Sequence, residues 1–340
     1  MAGGRQAPML KYASMWYEHI SANLGDNIQS LAAEQFLPRV DERFNRDALN
    51  RASGDSKYLM IMNGWFTTEP ESWPPSESIV PVFIGFHISK QKPVQDRLLS
   101  EESIAYLKRH EPIGCRDRET ERMLSARGVQ AYYSKCLTLT FPERESPPEN
   151  GKIFLVDVKL EKIPIPEELE SRAVQVTHEF PWYHSHEVKA SAARDLLDMY
   201  RREARLVITT RLHCAIPCAA MGIPVIFFGK KDEYRTALLR DLYIEINEMP
   251  GSLGRLALRN LRRLRRRFSG RRWLKGPAEA LYRVGMRLLV NARVNWSPGP
   301  APVSAEKEGL IARVKEAVRA KSEEMADADA FPCEGNEVAG

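Results

Sequence analysis

Short runs of β-branched and aromatic residues alternate along most of the chain with longer stretches whose apolar positions recur every three or four residues. That alternation predicts parallel strands joined by helices, an α/β chain. In the first part, 11–15, 57–62, 80–86 and 129–133 predict strands, and 24–36, 101–108 and 119–126 predict helices. Pro38 closes the first of these helices, because proline cannot continue the hydrogen-bond ladder. In the second part, 153–158, 173–178, 206–210 and 225–228 predict strands, and 187–203 and 214–221 predict helices. The strand runs are nearly all apolar, as in strands buried on both faces. Between the two sets lies PERESPPENG (142–151), whose prolines and charges predict a linker. The pattern therefore predicts an N-terminal αβ domain over 1–145 and a second over 146–250, with a cleft between them.

From residue 251 the pattern changes. Leu253, Ala257, Leu261, Leu264 and Phe268 fall on one helical face, and Leu281, Leu288 and Ala292 suggest a second amphipathic helix after Gly270 and Pro277. The segment 251–293 carries twelve arginines and Lys275 against Glu279 alone, a net charge of +12, within a chain of net charge +5. The rest of the chain is thus acidic, and the basic block is a local device. With Phe268 and Trp273 at its edge, such a block suits an anionic membrane surface; nucleic acid is the rival partner, and a solvated helix pair packed on the domain needs no partner. A closing helix is expected over 305–325 and a disordered tail over 326–340.

Composition narrows the class further. A chain of 340 residues with 43% hydrophobic residues is long and apolar enough for two cores and is not broadly disordered. No apolar run reaches about 18 residues, so no membrane span is expected, and the N-terminus has no continuous apolar stretch of the kind a signal peptide needs. Five cysteines without a Cys-x-x-Cys spacing predict free thiols in a reducing cytoplasm. Cys214 and Cys218, one helical turn apart, are expected as small buried residues rather than metal ligands, and no metal is expected. His184 and His186 form a His-x-His without an obvious third ligand, which suggests a polar loop.

The richest stretch is ARLVITTRLHCAIPCAAMGIPVIFFG (204–229). In an open α/β sheet, ligands sit beyond the carboxyl ends of the strands, and helix N-termini there favour anions. Arg211, Leu212 and His213 follow such a strand end directly. Arginine offers a planar fork to phosphate or carboxylate, and histidine can carry a proton near neutral pH. A surface arginine and a core-edge histidine in an ordinary turn is the plain alternative. Lys230 and Lys231 follow the next strand and could neutralise phosphate or simply be solvated. His178 and Glu179 end another strand and form a reserve acid/base pair. In the first domain, Asn23, Gly25 and Asp26 follow the first strand; Asp26 either orients a sugar hydroxyl or caps its helix. Trp16, Tyr17, Trp65, Phe66 and Trp73 are candidates to line a sugar site by stacking.

Four blocks in order, NLGDNIQSLAAEQFL (23–37), IVPVFIGFHIS (79–89), PIGCRDRETERMLSARGVQ (112–130) and the Arg-Leu-His block, resemble the polysaccharide pyruvyl transferases. The resemblance implies two Rossmann-like domains facing a cleft, a GT-B-like arrangement, followed here by the basic helical C-terminal extension. The first domain would be the acceptor side and the second the donor side. It implies an enzyme that takes phosphoenolpyruvate as donor and forms a pyruvate ketal on two hydroxyls of a sugar, in an exopolysaccharide or a lipid-linked oligosaccharide. It needs no other cofactor. By the same resemblance Arg211 clamps the donor phosphate or carboxylate, and His213 is donor ligand and proton carrier. Arg116 is the first domain's clamp, while Asp117 beside it is expected to cap the next helix. Where the family often has a Gly-rich turn, this chain has only IMNGWF (61–66), and SKCLTLTF (134–141) stands where Asp-Pro is often found. The expected place is the cytoplasm, at the inner face of the membrane. A GT-B-like glycosyltransferase using a nucleotide sugar, and a non-enzymatic protein binding anionic lipid, are the alternatives.

Overall fold

The computed structural model describes residues 10–17, 22–53, 56–160, 163, 165–248, 251–268, 272–289 and 293–330. They form two compact units, one of Met1–Thr140, Pro181–Ala192 and Glu306–Gly340, the other of Phe141–Phe180 and Ala193–Ala305. The division differs from the linear 145/146 boundary, because the start of one helix and most of the last one belong with the first unit.

The first unit is built on β1 (Lys11–Trp16), α1 (Leu24–Glu34), β2 (Glu42–Asn45), β3 (Tyr58–Phe66), β4 (Ile79–Ile88), α2 (Lys92–Leu98), α3 (Glu101–Lys108), β5 (Ile113–Cys115), α4 (Arg118–Ser125) and β6 (Ala131–Tyr133). Its sheet is all parallel in the order β2-β1-β3-β4-β5-β6. The second unit has β7 (Lys152–Val156), α5 (Glu167–Glu170), β8 (Ala173–Val176), α6 (His186–Glu203, of which the residues up to Ala192 belong with the first unit), β9 (Ala204–Thr209), α7 (Leu212–Ala220), β10 (Val225–Gly229), α8 (Ala237–Asp241), β11 (Ile246–Glu248), α9 (Ser252–Phe268) and α10 (Arg272–Leu289). Its parallel sheet runs β11-β10-β9-β7-β8. The last helix, α11 (Ser304–Ala330), buries Leu310, Val314 and Val318.

Both sheets are doubly wound in the same sense. The first strand of each unit has the second strand on one side and the third on the other. The chain therefore reverses direction between β1 and β3, and again between β7 and β9. At such switch points the flanking loops diverge and leave a crevice beyond the strand ends. The α/β expectation holds, with the basic helical extension at the end. α11 continues through 326–330, which the sequence assigned to an irregular tail; its alanines favour helix strongly. Residues 331–340 lie outside the described residues.

β3 runs four residues beyond its expected end at Met62. Gly64 makes that possible: its φ of +92° suits glycine, and an added Cβ would meet Gln29 Oε1 at 2.9 Å. Period-two alternation then puts Phe66 inward, where it packs with Trp73, Phe83 and Phe86. Phe66 is 0% and Trp73 2% exposed, so both are core residues and not part of a sugar-stacking surface.

Candidate functional site

In the second unit, three strand ends supply one network. Asp157 follows β7, Thr177, His178 and Glu179 follow β8, and Arg211 follows β9. Arg211 Nε donates to Asp157 Oδ2 at 2.8 Å, and its Nη2 donates to Glu179 Oε1 at 2.8 Å. Thr177 Oγ1 donates to Asp157 Oδ1 at 2.7 Å, and the His178 amide donates to Oδ2 at 3.0 Å. Burial pushes the Asp157 carboxyl up, but these donors and the guanidinium outweigh it and hold its pKa below the ordinary value. Asp157 sits at φ +53°, a left-handed conformation that aspartate tolerates better than most side chains. Around the network lies a cavity of about 490 Å³, lined by Leu155, Asp157, Thr177, Glu179, Thr210 and Arg211. It stands at the β7/β9 switch point.

α7 begins at Leu212; its N-cap residue Arg211 makes no side-chain cap hydrogen bond, and the Cys214 amide donates to the Arg211 carbonyl at 3.2 Å. Its second residue, His213, departs from helical geometry at φ −82°, ψ 18°. Pro217 lies four residues on. A proline inside a helix lacks the N–H for the carbonyl four residues back and crowds it. The sequence His-Cys-Ala-Ile-Pro thus bends the backbone at His213 itself. Arg211, Leu212 and His213 are all half-buried.

His178 is placed differently from the expectation. It is fully buried, with Nε2 3.0 Å from the Tyr200 hydroxyl and its ring stacked on that of Tyr200. Only its backbone amide joins the strand-end network. Cys214 and Cys218 are also fully buried. Burial raises the Cys214 thiol, yet hydrogen bonds with Cys218, His178 and Thr209 outweigh it and lower its pKa. Lys230 and Lys231 are exposed beyond β10. Among the described residues no group of three His, Cys, Asp or Glu is arranged to hold a metal.

The first unit has its own polar cluster at the β1/β3 switch point. Asn23 is the cap of α1: its side chain accepts from the Gly25 amide at 3.1 Å. Gly25 lies in the first helical turn. Capping by Asn23 leaves the half-buried Asp26 carboxylate for other work, and Gln29 Nε2 donates to it at 3.3 Å. Asp26 also acts on Tyr17, Arg46 and Lys189. Arg46 forks onto Asp47, with Nη2 to Oδ2 at 2.7 Å, and its guanidinium lies 5.0 Å from the ring of Tyr17 and 4.9 Å from that of Trp65. Lys189, on the first turn of α6, is 2% exposed; burial lowers its pKa, and Asp26 opposes that. Trp16 meets His186 edge-on, so of the proposed sugar-stacking aromatics Trp16 and Trp65 remain partly exposed.

Arg116 follows β5 and is 2% exposed. Its Nη1 donates to Gln29 Oε1 at 3.5 Å, and its amide donates to Phe86 O at 2.8 Å. Asp117 caps α4 through the Thr120 amide at 2.9 Å and takes His87 Nδ1 at 2.5 Å. Burial opposes the Asp117 charge, but His87, Arg116 and the Thr120 amide lower its pKa. Arg116 is therefore woven into the unit's interior. Arg116→Ala is expected to destabilise the protein by about 1–3 kcal/mol, because buried acceptors lose their donor. Chemical denaturation checks this; an unchanged midpoint would place Arg116 at the surface.

Sequence reasoning missed Asp157, Arg46, Asp47 and Lys189. Asp157 carried a signal, a carboxylate ending an apolar strand run. Arg46 and Lys189 carried none, since each is one cation among many.

The polysaccharide pyruvyl transferase family profile matches residues 23–232, which span both clusters. No curated protein gives a significant match. Among solved structures, a UDP-N-acetylglucosamine 2-epimerase is 11% identical with TM-score 0.41, over 98% of this chain and 100% of that one. A putative UDP-N-acetylglucosamine 2-epimerase from Listeria monocytogenes is 13% identical with TM-score 0.43, over 92% and 97%. A functionally uncharacterised protein from Klebsiella pneumoniae is 12% identical with TM-score 0.40, over 69% and 92%.

Proposed function

Because the chain belongs to the polysaccharide pyruvyl transferase family, we propose that it moves a pyruvyl group from phosphoenolpyruvate onto two hydroxyls of one sugar. The product is a ketal, and inorganic phosphate leaves. The acceptor is a sugar of an exopolysaccharide or a lipid-linked oligosaccharide, modified at the cytoplasmic face of the membrane. The observation that carries the reading is Arg211, a half-buried fork at the β7/β9 switch point beside a cavity, inside the matched residues.

In the proposed reaction the methylene carbon of the donor gains a proton, C2 becomes cationic, and a sugar hydroxyl attacks it. Phosphate departs, the second hydroxyl closes the ring, and both hydroxyl protons are lost. His213 supplies and recovers protons; Arg211 holds the donor's anionic groups. Lys230 stands at the neighbouring strand end for the same charge. Asp26, with Asn23 and Gly25 fixing its helix, orients an acceptor hydroxyl. Arg116 supports the Asp26 cluster through Gln29, which donates to Asp26 and accepts from Arg116.

Titration calorimetry with phosphoenolpyruvate and with nucleotide sugars tests the reading. Binding of phosphoenolpyruvate, with phosphate release only when a sugar acceptor is present, is expected. Binding of a nucleotide sugar alone would make the chain a glycosyltransferase.

The exposed Glu179 carboxylate occupies an edge of the Arg211 fork that an anionic donor would use. Glu179→Gln is expected to tighten donor binding a few-fold, since such a pair is worth about 0–1 kcal/mol. Weaker binding in that variant would mean Glu179 orients Arg211 rather than competing for it.

A further inference from the structure

α9 and α10 lie beyond the residues that the family profile matches, and they pack on each other. Gly285 makes the contact close: an added Cβ would stand 2.3 Å from Leu261 Cδ1. Tyr282 is buried at this seam, and the Arg265 guanidinium lies 4.8 Å from its ring centre. Arg265 also pairs with Glu279 and Glu167, each at 2.7 Å, and Arg262 donates to the Leu160 carbonyl. Leu261, Leu264 and Phe268, expected to meet lipid, are half-buried; Leu261 is taken up by the seam. The Trp273 side chain lies outside the described residues.

What stays exposed is different. Leu253 and Leu256 on α9 are 81% and 44% exposed, and Leu281, Val284 and Leu288 on α10 are 50%, 54% and 69% exposed. These five are half of the ten large hydrophobic side chains exposed among the described residues, so the apolar surface is concentrated here. Spacings of three and four residues put Leu256, Arg259, Arg263 and Arg266 along one face of α9, and Leu281, Val284 and Leu288 along one face of α10. Leu256, Arg259, Arg263 and Arg266 also line a cavity of about 790 Å³ together with Leu160 and Tyr282. Among the described residues no helix is long and apolar enough to cross a membrane.

We propose that α9 and α10 form a docking surface for an anionic lipid bilayer. The exposed arginines take headgroup phosphates, and Leu253, Leu256, Leu281, Val284 and Leu288 enter the headgroup–acyl boundary. Charge complementarity selects an anionic partner for the +12 segment. The leucines and Val284 select lipid over nucleic acid, because a phosphodiester backbone gains nothing from exposed aliphatic groups while a bilayer buries them. The surface is independent of the donor chemistry, so it stands or falls by itself.

The test is co-sedimentation of the full chain with phosphatidylglycerol–phosphatidylcholine vesicles and with phosphatidylcholine alone. Binding is expected only to the former, falling as salt rises. Each basic residue near an anionic leaflet is worth about five-fold in partitioning. Replacing Arg259, Arg263, Arg266 and Arg267 together by Gln should therefore cost on the order of a hundred-fold, allowing for salt. The four Arg→Lys changes should retain binding, which controls for folding. Leu281→Ser with Val284→Ser and Leu288→Ser should weaken it about ten-fold. Phosphate release from phosphoenolpyruvate with a short soluble acceptor should be unchanged in the Gln variant, whose substitutions lie outside the strand-end clusters. Equal sedimentation of parent and Gln variant, equal binding to neutral vesicles, or capture by duplex nucleic acid in place of vesicles would each overturn the proposal.

Discussion

Arg211→Ala is expected to weaken phosphoenolpyruvate binding by about 2–5 kcal/mol, the cost of removing one partner from a desolvated charge pair. Arg211 is the cation between Asp157 and Glu179 at the cavity. Without it, a donor carrying phosphate and carboxylate meets the Asp157 and Glu179 carboxylates, and Lys159 remains as a cation at the cavity. Asp157 stays ionised because Thr177 and the His178 amide continue to donate to it. Arg211→Lys should recover part of the loss, because it keeps the charge but not the planar fork. Titration calorimetry measures the effect, with a thermal melt to confirm folding. Donor affinity in Arg211→Ala equal to that of the parent would remove Arg211 from the donor site.

His213→Gln is expected to lower turnover by roughly 10²–10⁴-fold, the usual contribution of a positioned acid/base group. Donor affinity should change little, since the fork on Arg211 remains. The bend that Pro217 imposes at His213 gives a second handle. Pro217→Ala should let the helix regularise, carry the imidazole away from its position and reduce turnover without altering the residue that does the chemistry. His178→Gln supplies the contrast. That side chain is enclosed with Tyr200, so its loss should lower the melting temperature and leave turnover of the folded protein nearly intact. Normal turnover in His213→Gln together with lost turnover in His178→Gln would reverse the two roles.

The order of the longer strands and helices was legible because β1, β3, β4, β7, β9 and β10 are apolar runs that are largely buried. The helix at 101–108 is found where the pattern put it. Asp117 caps α4, as its place before a helical run suggested. Short elements escaped: β2 at Glu42–Asn45 and β11 at Ile246–Glu248 are too brief to show a period. Strand ends were the least legible. β3 continues through Gly64 because a glycine, which propensity takes as a stop, here admits Gln29 beside the strand.

By itself the sequence determined the α/β class, the position of Arg211 and His213 after a buried strand, the distortion at His213 through Pro217, and the existence of a basic amphipathic extension. Each depends on near neighbours along the chain, where periodicity and backbone sterics act. Only the tertiary structure decided which groups share a site. Asp157, Glu179 and Arg211 are up to 54 residues apart and meet because β7, β8 and β9 are adjacent and parallel. It also enclosed His178 and Phe66, turned Leu261 onto Gly285, and left Leu281, Val284 and Leu288 to solvent. A side chain's burial is set by what packs over it, and that partner comes from elsewhere in the chain.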